Sequence, residues 1–394
     1  MMDDLLSRLT TPALLKLSIV GFEPRGRTVR FVGGCVRDAM LGLTPKDIDL
    51  QTDATPDEQI EIYKALGLDY FLTGVEYGTI TVRLDDGETY EVTSYRKDVA
   101  TDGRRATVAY TRDLAEDLAR RDLTINAMSL GFGGDLVDPF GGQDDLIQGR
   151  VRFVGKPFDR MVEDGLRILR FLRFHVRFGK GDLDADALKA MSFARGALRH
   201  VSVERIWWEI AKLVVLDKGP ALLEEVLEMG LPVGLPLPYK APGKPASIGH
   251  LRECMETVQA HSRNPVTLMT AGFGYSVRGI AETLKWSRAE RDLADFLCAR
   301  DREAGGLDAY KWLLAGEGCR RDWVYELMII KGEPELIEDL RQWPVPTFPV
   351  TGADLIASGM APGPAMGERL FFLRRHWGRS HYTADKADLL KVTL

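Results

Sequence analysis

Two aspartates separated by one residue, Asp47 and Asp49, follow a glycine pair, Gly33 and Gly34, within the segment FVGGCVRDAMLGLTPKDIDL. The glycines end a β-branched run and open a helical one. Backbone there can approach an anion closely, and the free N–H groups at the helix start would favour a triphosphate. Read as a strand, DIDLQT alternates its side chains, which places Asp47 and Asp49 on one face. Carboxylates so placed repel unless a cation lies between them, and Mg²⁺ suits them because it combines a few carboxylates with phosphate oxygens in an octahedral shell. The chemistry this predicts is nucleotidyl transfer, with a 3′ hydroxyl activated and a departing pyrophosphate steadied. Arg37 is placed to add a charge-assisted contact. Asp38 is open to two readings, a partner for a neighbouring Arg or a group near the nucleophile. An Asp-x-Asp pair alone is commonly a solvated strand face; the preceding GGCVRD gives it its chemical weight.

The elements that must position these residues read as a mixed α/β domain over the first 140 residues or so. TVRFVGG, DIDLQT, TITVRL and TYEVTSY are the predicted strands, and CVRDAMLGL and TPDEQIEIYKALG the predicted helices. The second helix carries a capping box, with Thr55 as N-cap, Pro56 at the first helical position and Glu58 three residues after the cap. From about Phe158 the apolar spacing turns helical, as in Leu222, Leu223, Val226 and Leu227 before a stop at Gly230. Proline-rich stretches at 231–245 and 343–352 cannot continue helices and mark boundaries.

With 394 residues, 45% hydrophobic and 28% charged, the chain is long enough for two to four domains or subdomains. The net charge of −6 argues against a wholly basic nucleic-acid coat but leaves local Arg and Lys clusters free to bind phosphate. Cys35, Cys254, Cys298 and Cys319 form no CxxC pair, so neither a disulfide framework nor a zinc site is expected. The histidines lack metal-site spacing, and no His-Asp arrangement of an HD phosphohydrolase is present. No long apolar run and no basic, apolar leader in MMDDLLSRLT suggest a membrane or secretory route, so the expected location is the cytoplasm.

GGCVRD with DIDL, then RRDLTINAM, DPFGGQDDL and EDGLRILRFLRF, occur in this order and resemble the class II CCA-adding tRNA nucleotidyltransferases and their poly(A) polymerase relatives. The likeness is dense over residues 27–210, thins beyond, and returns in TGADLIASGMAPGPAMGERL. It implies a polymerase-β-like nucleotidyltransferase head with a mixed sheet (1–140), followed by an all-α neck with base recognition (141–200), a helical body (201–275) and a helical, tRNA-binding tail (276–394). It also implies Mg²⁺ as cofactor, CTP and ATP as substrates and tRNA as partner; no protein partner is expected. Asp47 and Asp49 carry over as the catalytic, metal-holding pair, and Glu91 is the candidate third carboxylate. Arg120, Arg121, Asp122 and Asn126 match the motif associated with the sugar and phosphates of the incoming nucleotide. A ribose 2′-hydroxyl can donate to the Asp122 carboxylate.

Glu163-Asp164-Gly165-Leu166-Arg167 resembles the motif in which protein side chains take over base pairing. Helical spacing of three would put Asp164 and Arg167 on one face, against the edge of one base. Cytosine N4 and adenine N6 donate to a carboxylate, whereas uracil O4 and guanine O6 would be repelled, so this logic selects CTP and ATP. The family usually has Pro where this chain has Gly165, a change expected to loosen the helix start. Arg167, Arg170, Arg173 and Arg177 fall within roughly 120° on one helix, a basic stripe of which Arg170 is counted with the nucleotide-binding residues. Trp207 and Trp208, beside the family-matching Glu204 and Arg205, are expected in the core.

Residues 96–110 resemble the flexible loop of enzymes that complete the terminal A, which favours addition of C, C and A. TGVEYGTITV lacks the basic stretch and His-Val pair of bacterial poly(A) polymerases, although Tyr77 stands where CCA-adding enzymes commonly have His. A poly(A) polymerase, a partial CC- or A-adding enzyme, and a non-catalytic RNA-binding protein are the alternatives.

Overall fold

The predicted strands pair into one mixed sheet around which the first part of the chain is built. In chain order the strands are β1 (Val29–Val32), β2 (Asp49–Thr52), β3 (Asp69–Phe71), β4 (Thr79–Arg83), β5 (Thr89–Ser94), β6 (Arg96–Thr101), β7 (Ala106–Tyr110), β8 (Ser129–Gly131) and β9 (Leu136–Val137). Seven form the sheet in the order β3-β4-β5-β2-β1-β8-β9, while β6 and β7 pair by themselves as an antiparallel ribbon. Among the described residues only β2 and β5 run parallel, with Asp49 in register with Glu91; the other sheet pairings are antiparallel.

The computed structural model describes residues 2–101, 106–228, 237 and 251–393. The chain divides into two compact units, Met1–Leu235 and Pro236–Leu394. Among the described residues strand ends at Val137 and everything after is helical or irregular, in keeping with the expected α/β head and all-α remainder. The expected stop at Gly230 and all of the 231–245 stretch but Leu237 lie outside the described residues, as do 102–105 of the expected flexible loop. The described flanks of that loop are the ribbon β6–β7, whose register shifts between Asp98 and Ala100.

In β5 the alternation is plain: Tyr90, Val92 and Ser94 are buried and Glu91 exposed. Leu50, Ile80, Val82 and Leu130 add to the buried layer, and the helix Pro56–Leu66 contributes Ile62 and Tyr63 to the core. Its capping box is present as the sequence predicts, Thr55 N–H donating to Glu58 Oε2 at 2.8 Å and Glu58 N–H to Thr55 Oγ1 at 3.4 Å.

DPFGGQDDL braces the segment 123–128 that runs into β8. Both Asp138 carboxylate oxygens cap the helix Gly142–Gln148, accepting from the Gly142 and Gln143 N–H groups at 2.8 Å each. Fully buried Asp145 accepts from Thr124 Oγ1 at 2.7 Å and from the Nε atoms of Arg150 and Arg152 at 3.0 and 2.9 Å. A methyl group on Gly142 would meet the Thr124 carbonyl oxygen at 2.2 Å, so only glycine lets the two backbones touch. Gly142→Ala should therefore lower the unfolding free energy by about 1–3 kcal/mol, read from urea denaturation. An unchanged midpoint would show that the contact is slack.

The second unit has its own core, in which Val350, Leu355, Leu373, Trp377 and Leu389 pack together. The proline-rich segment 343–351 is free of helix, as expected.

Candidate active site

The acidic pair is placed differently from a simple strand reading. Asp49 is the first residue of β2, but Asp47 lies in the bend before it, so strand alternation does not align them. The polypeptide is still turning out of Pro45 when it passes Asp47, and ladder pairing begins only at Asp49. What places a second carboxylate beside Asp49 is the parallel register with β5: register partners point to the same face, so Asp49 and Glu91 share one side of the sheet. Asp47, Asp49 and Glu91 are exposed. Packing around Asp49 raises its carboxyl above the usual aspartate value; Arg121 pulls it back and the Asp47 charge pushes it up again. Asp47 and Asp49 thus feel each other's charge.

Among the described residues no three His, Cys, Asp or Glu side chains gather into a closed metal cage. An open set of carboxylate oxygens suits Mg²⁺, which keeps waters or phosphate oxygens in much of its shell and needs few protein ligands. The donor chemistry therefore fits that ion.

Gly33 has φ of 73° and donates its N–H to the Met128 carbonyl at 3.0 Å. A methyl group there would come within 2.9 Å of Arg121 Nη1. Glycine is required both by the left-handed backbone and by the guanidinium that lies on it. Gly34 opens the helix Gly34–Met40. Arg121 is largely enclosed, its Nε finds no acceptor, and its nearest carboxylate, Asp117, is 3.9 Å away. Unspent donors beside the acidic pair make Arg121 the cation placed for an anionic substrate group.

Most other candidate residues are already engaged with one another. Asp122 is buried: Oδ1 accepts from the Leu123 N–H at 2.8 Å and Asn126 Nδ2 at 3.2 Å, and Oδ2 from Arg170 Nε and Nη2 at 2.7 and 2.6 Å. Four donors fill the four acceptor positions of a carboxylate, leaving none for a ribose hydroxyl unless one is displaced. Burial alone would raise the Asp122 carboxyl, yet Arg170 and Asn126 outweigh it and hold it below the usual value. Asn126 turns its other end to Arg37, whose Nη1 donates to Asn126 Oδ1. Arg37 also donates from Nε and Nη2 to Asp38 at 2.9 and 2.7 Å and stacks on Phe174 and Phe178, 5.1 and 4.5 Å from the ring centres. Buried in this way, Arg37 presents no free face to a phosphate, and Asp38 is its partner. Cys35 is a small buried thiol, pushed up to about 11 mainly by burial.

The segment Glu163–Arg167 also departs from expectation. The helix Pro157–Glu163 ends before Asp164, whose backbone is extended (φ −149°, ψ 107°), and a new helix, Leu166–Phe178, starts beyond Gly165. Asp164 and Arg167 therefore flank a break and do not share one helical face. Asp164 Oδ1 accepts from the Leu166 N–H at 3.1 Å, and its Oδ2 from Arg205 Nη2 at 2.7 Å. Arg167 pairs with Glu163 and reaches the Arg160 and Arg120 carbonyls at 3.2 and 3.3 Å. Gly165 has a positive reason: a methyl group there would lie 2.5 Å from the Ala197 carbonyl group. It permits a close approach and does not loosen the turn.

The basic stripe is likewise consumed. Arg170 binds Asp122, Arg173 binds Glu209 at 2.6 Å as a buried pair, and Arg177 stacks on Phe178 and lies 3.7 Å from Asp38. Trp207 is in the core as expected, but Trp208 is 67% exposed with Lys212 over its ring at 4.8 Å. Glu209 and Arg205, the partners of Arg173 and Asp164, carried no pairing signal in the sequence beyond their charge.

A model described as the poly A polymerase head domain matches residues 29–152. The chain is 37% identical over 398 residues to the Danio rerio CCA tRNA nucleotidyltransferase 1, mitochondrial, covering 98% of this chain and 91% of that one. To the Mus musculus protein of the same name it is 36% identical over 383 residues, covering 94% and 87%. Among solved structures, the Bacillus stearothermophilus CCA-adding enzyme in complex with CTP aligns with a TM-score of 0.76 at 25% identity, covering 96% of this chain and 93% of that one.

Because Arg170 and Asn126 hold Asp122 ionised, the stability they contribute is complete above the ordinary aspartate range and lost as pH falls through it. Wild type should exceed Asp122→Asn in urea stability most at neutral pH, and the gap should close as pH drops below about 4. A gap constant from pH 7 to pH 3 would contradict the ionised pair.

Proposed function

Because the chain belongs to the class II CCA-adding tRNA nucleotidyltransferase and poly(A) polymerase family, we propose that it adds C, C and A to the 3′ end of tRNA from CTP and ATP, without a nucleic-acid template. The observation that carries this reading is the nearly end-to-end likeness to relatives named CCA tRNA nucleotidyltransferases. The head alone would leave the acceptor open.

In each step the RNA 3′ hydroxyl gives up its proton to solvent and its oxygen forms a bond to the α-phosphorus of the nucleotide, the bond from that phosphorus to the β-bridging oxygen breaks, and pyrophosphate departs. Asp47 and Asp49, with Glu91 on the same face as Asp49, would hold Mg²⁺, which when bound supplies Lewis acidity to the 3′ hydroxyl and the phosphates. Arg121 neutralises the triphosphate through its unspent donors, over the backbone that Gly33 leaves bare. Gly34 keeps the adjoining helix start free of a side chain. Asn126, Arg37 and Arg170 act as positioning residues that lock Asp122. Should a ribose bind Asp122, it must displace one of these donors.

Asp164 and Arg167 supply the base readout by releasing Arg205 and Glu163 in favour of the edge of C or A. The break between the two helices lets both side chains turn without unwinding either helix. The division into head, neck, body and tail is retained as part of this proposal. So is the cytoplasm as location; no described helix is long and apolar enough to cross a membrane, and the two vertebrate relatives are named mitochondrial.

The description of the matching head model favours one second reading, continuous adenylation. Incubation of tRNA lacking its terminus with CTP, ATP and Mg²⁺ should restore CCA and stop. Long A tails on unrelated RNA would favour the second reading. Asp49→Ala should reduce transfer by at least about a hundredfold with the unfolding midpoint unchanged, and Asp164→Ala should admit UTP or GTP. Retained discrimination in Asp164→Ala would remove that residue from base choice.

A further inference from the structure

A cleft of about 410 Å³ opens in the second unit beside the helix Leu307–Ala315 and the end of the helix Pro364–Arg379. Trp312, Tyr382, Arg375, Arg379, Asp308 and His381 line it. Its aromatic walls are fixed from behind. A methyl group on Gly316 or Gly378 would come within 2.3 or 2.9 Å of the Trp312 ring, and Trp312 Nε1 donates to Glu317 at 3.1 Å. Tyr382 packs against Trp377 and Trp343, with ring centres 5.0 and 5.3 Å away. His381 and Tyr382 both take left-handed backbone, at φ of 50° and 65°, as the chain turns off the helix. Non-glycine residues hold that conformation only where the surroundings impose it, so these rings are placed rigidly at the cleft.

Arg375 and Arg379 stand one helical turn apart on the same face and are exposed. Other arginines of this helix are turned into the protein: Arg369 donates to the Val392 carbonyl and Arg374 to the Gly316 carbonyl at 3.2 Å. Arg375 and Arg379 make no such bond among the described residues. Two unspent guanidiniums at this spacing suit one phosphodiester, which offers several acceptor oxygens at once. The flat aromatic surfaces suit a nucleobase, and Asp308, the one acidic residue in the lining, can accept from an exocyclic amino group.

We propose that this cleft binds a single unpaired nucleotide, its base against Trp312 and Tyr382 and its phosphate on Arg375 and Arg379, supplied by an RNA strand. The volume lies in the range of small-ligand sites, and bases inside a duplex have no free faces to offer it. That the nucleotide comes from RNA rests on the reading of the chain as a tRNA-directed transferase; the nucleotide chemistry of the cleft does not.

Binding measured without turnover tests it, using full-length protein, tRNA lacking its CCA end and, separately, 5′-AMP. Arg375→Glu/Arg379→Glu should raise the Kd for trimmed tRNA about tenfold or more and flatten its salt dependence. Trp312→Phe, which keeps an apolar ring where Trp312→Ala could disturb packing, should weaken tRNA binding about threefold or more, and weaken binding of a fully paired RNA hairpin stem less. If tRNA affinity is unaffected while one equivalent of AMP is lost in both variants, the cleft takes a free nucleotide and the RNA source is wrong. If neither probe separates the variants from wild type, the cleft is not a nucleotide site. Because these readouts need no transfer, an inactive enzyme that still shows them would refute the proposed function and leave this inference standing.

Discussion

One buried carboxylate, Asp122, holds the first unit's working parts together. It accepts from the backbone at Leu123, from Asn126 and from both near nitrogens of Arg170. Through Asn126 the network continues to Arg37 and Asp38, beside the glycine pair, and Arg37 in turn is clamped by Phe174 and Phe178 from the same helix that carries Arg170. A charge buried this deeply is tolerated only while its partners stay, and losing one partner typically costs about 3–5 kcal/mol. The helix Leu166–Phe178 and the glycine turn are therefore held in one fixed relation. The break at Asp164 and the acidic pair lie in this same compact unit.

Charged groups here divide into those already paired and those left unpaired. Carboxylates of Asp49 and Glu91 stay exposed on the interior strands β2 and β5, with Asp47 exposed in the bend before β2, while Arg121 lies over Gly33 with donors unspent and its charge acts on Asp49. Nearly every other arginine of the motif region is paired. The contrast is informative, because a side chain left unsatisfied inside a network of satisfied neighbours is where a ligand atom completes the bonding.

Elements set by local rules were legible in the residues alone. The four sheet strands with alternating or β-branched runs and the Thr55 capping box are examples, since neighbours in sequence determine both. Short strands such as β3, β8 and β9 were not, because two or three residues carry no periodicity and their pairing is decided by the rest of the sheet. The basic stripe of Arg167, Arg170, Arg173 and Arg177 lies on one helix as its spacing predicts, but the partners of these arginines were not legible there. Its acidic partners Asp122 and Glu209 lie 48 and 36 residues away in sequence from the arginines they hold. Trp208 was expected beside Trp207 in the core, yet adjacent helical residues point about 100° apart and only one of them could be buried. Gly165 in place of the usual Pro predicts only a looser helix start; the reason for it sits on the Ala197 backbone, which no local pattern reveals.

A double-mutant cycle on Asp122→Asn and Arg170→Met, scored by urea unfolding at neutral pH, probes the central interaction most directly. The fold described here requires the two substitutions to be strongly non-additive, with a coupling of about 1 kcal/mol or more. Additivity within about 0.3 kcal/mol would mean that the pair holds nothing together, and the rigid connection between helix and glycine turn would be contradicted.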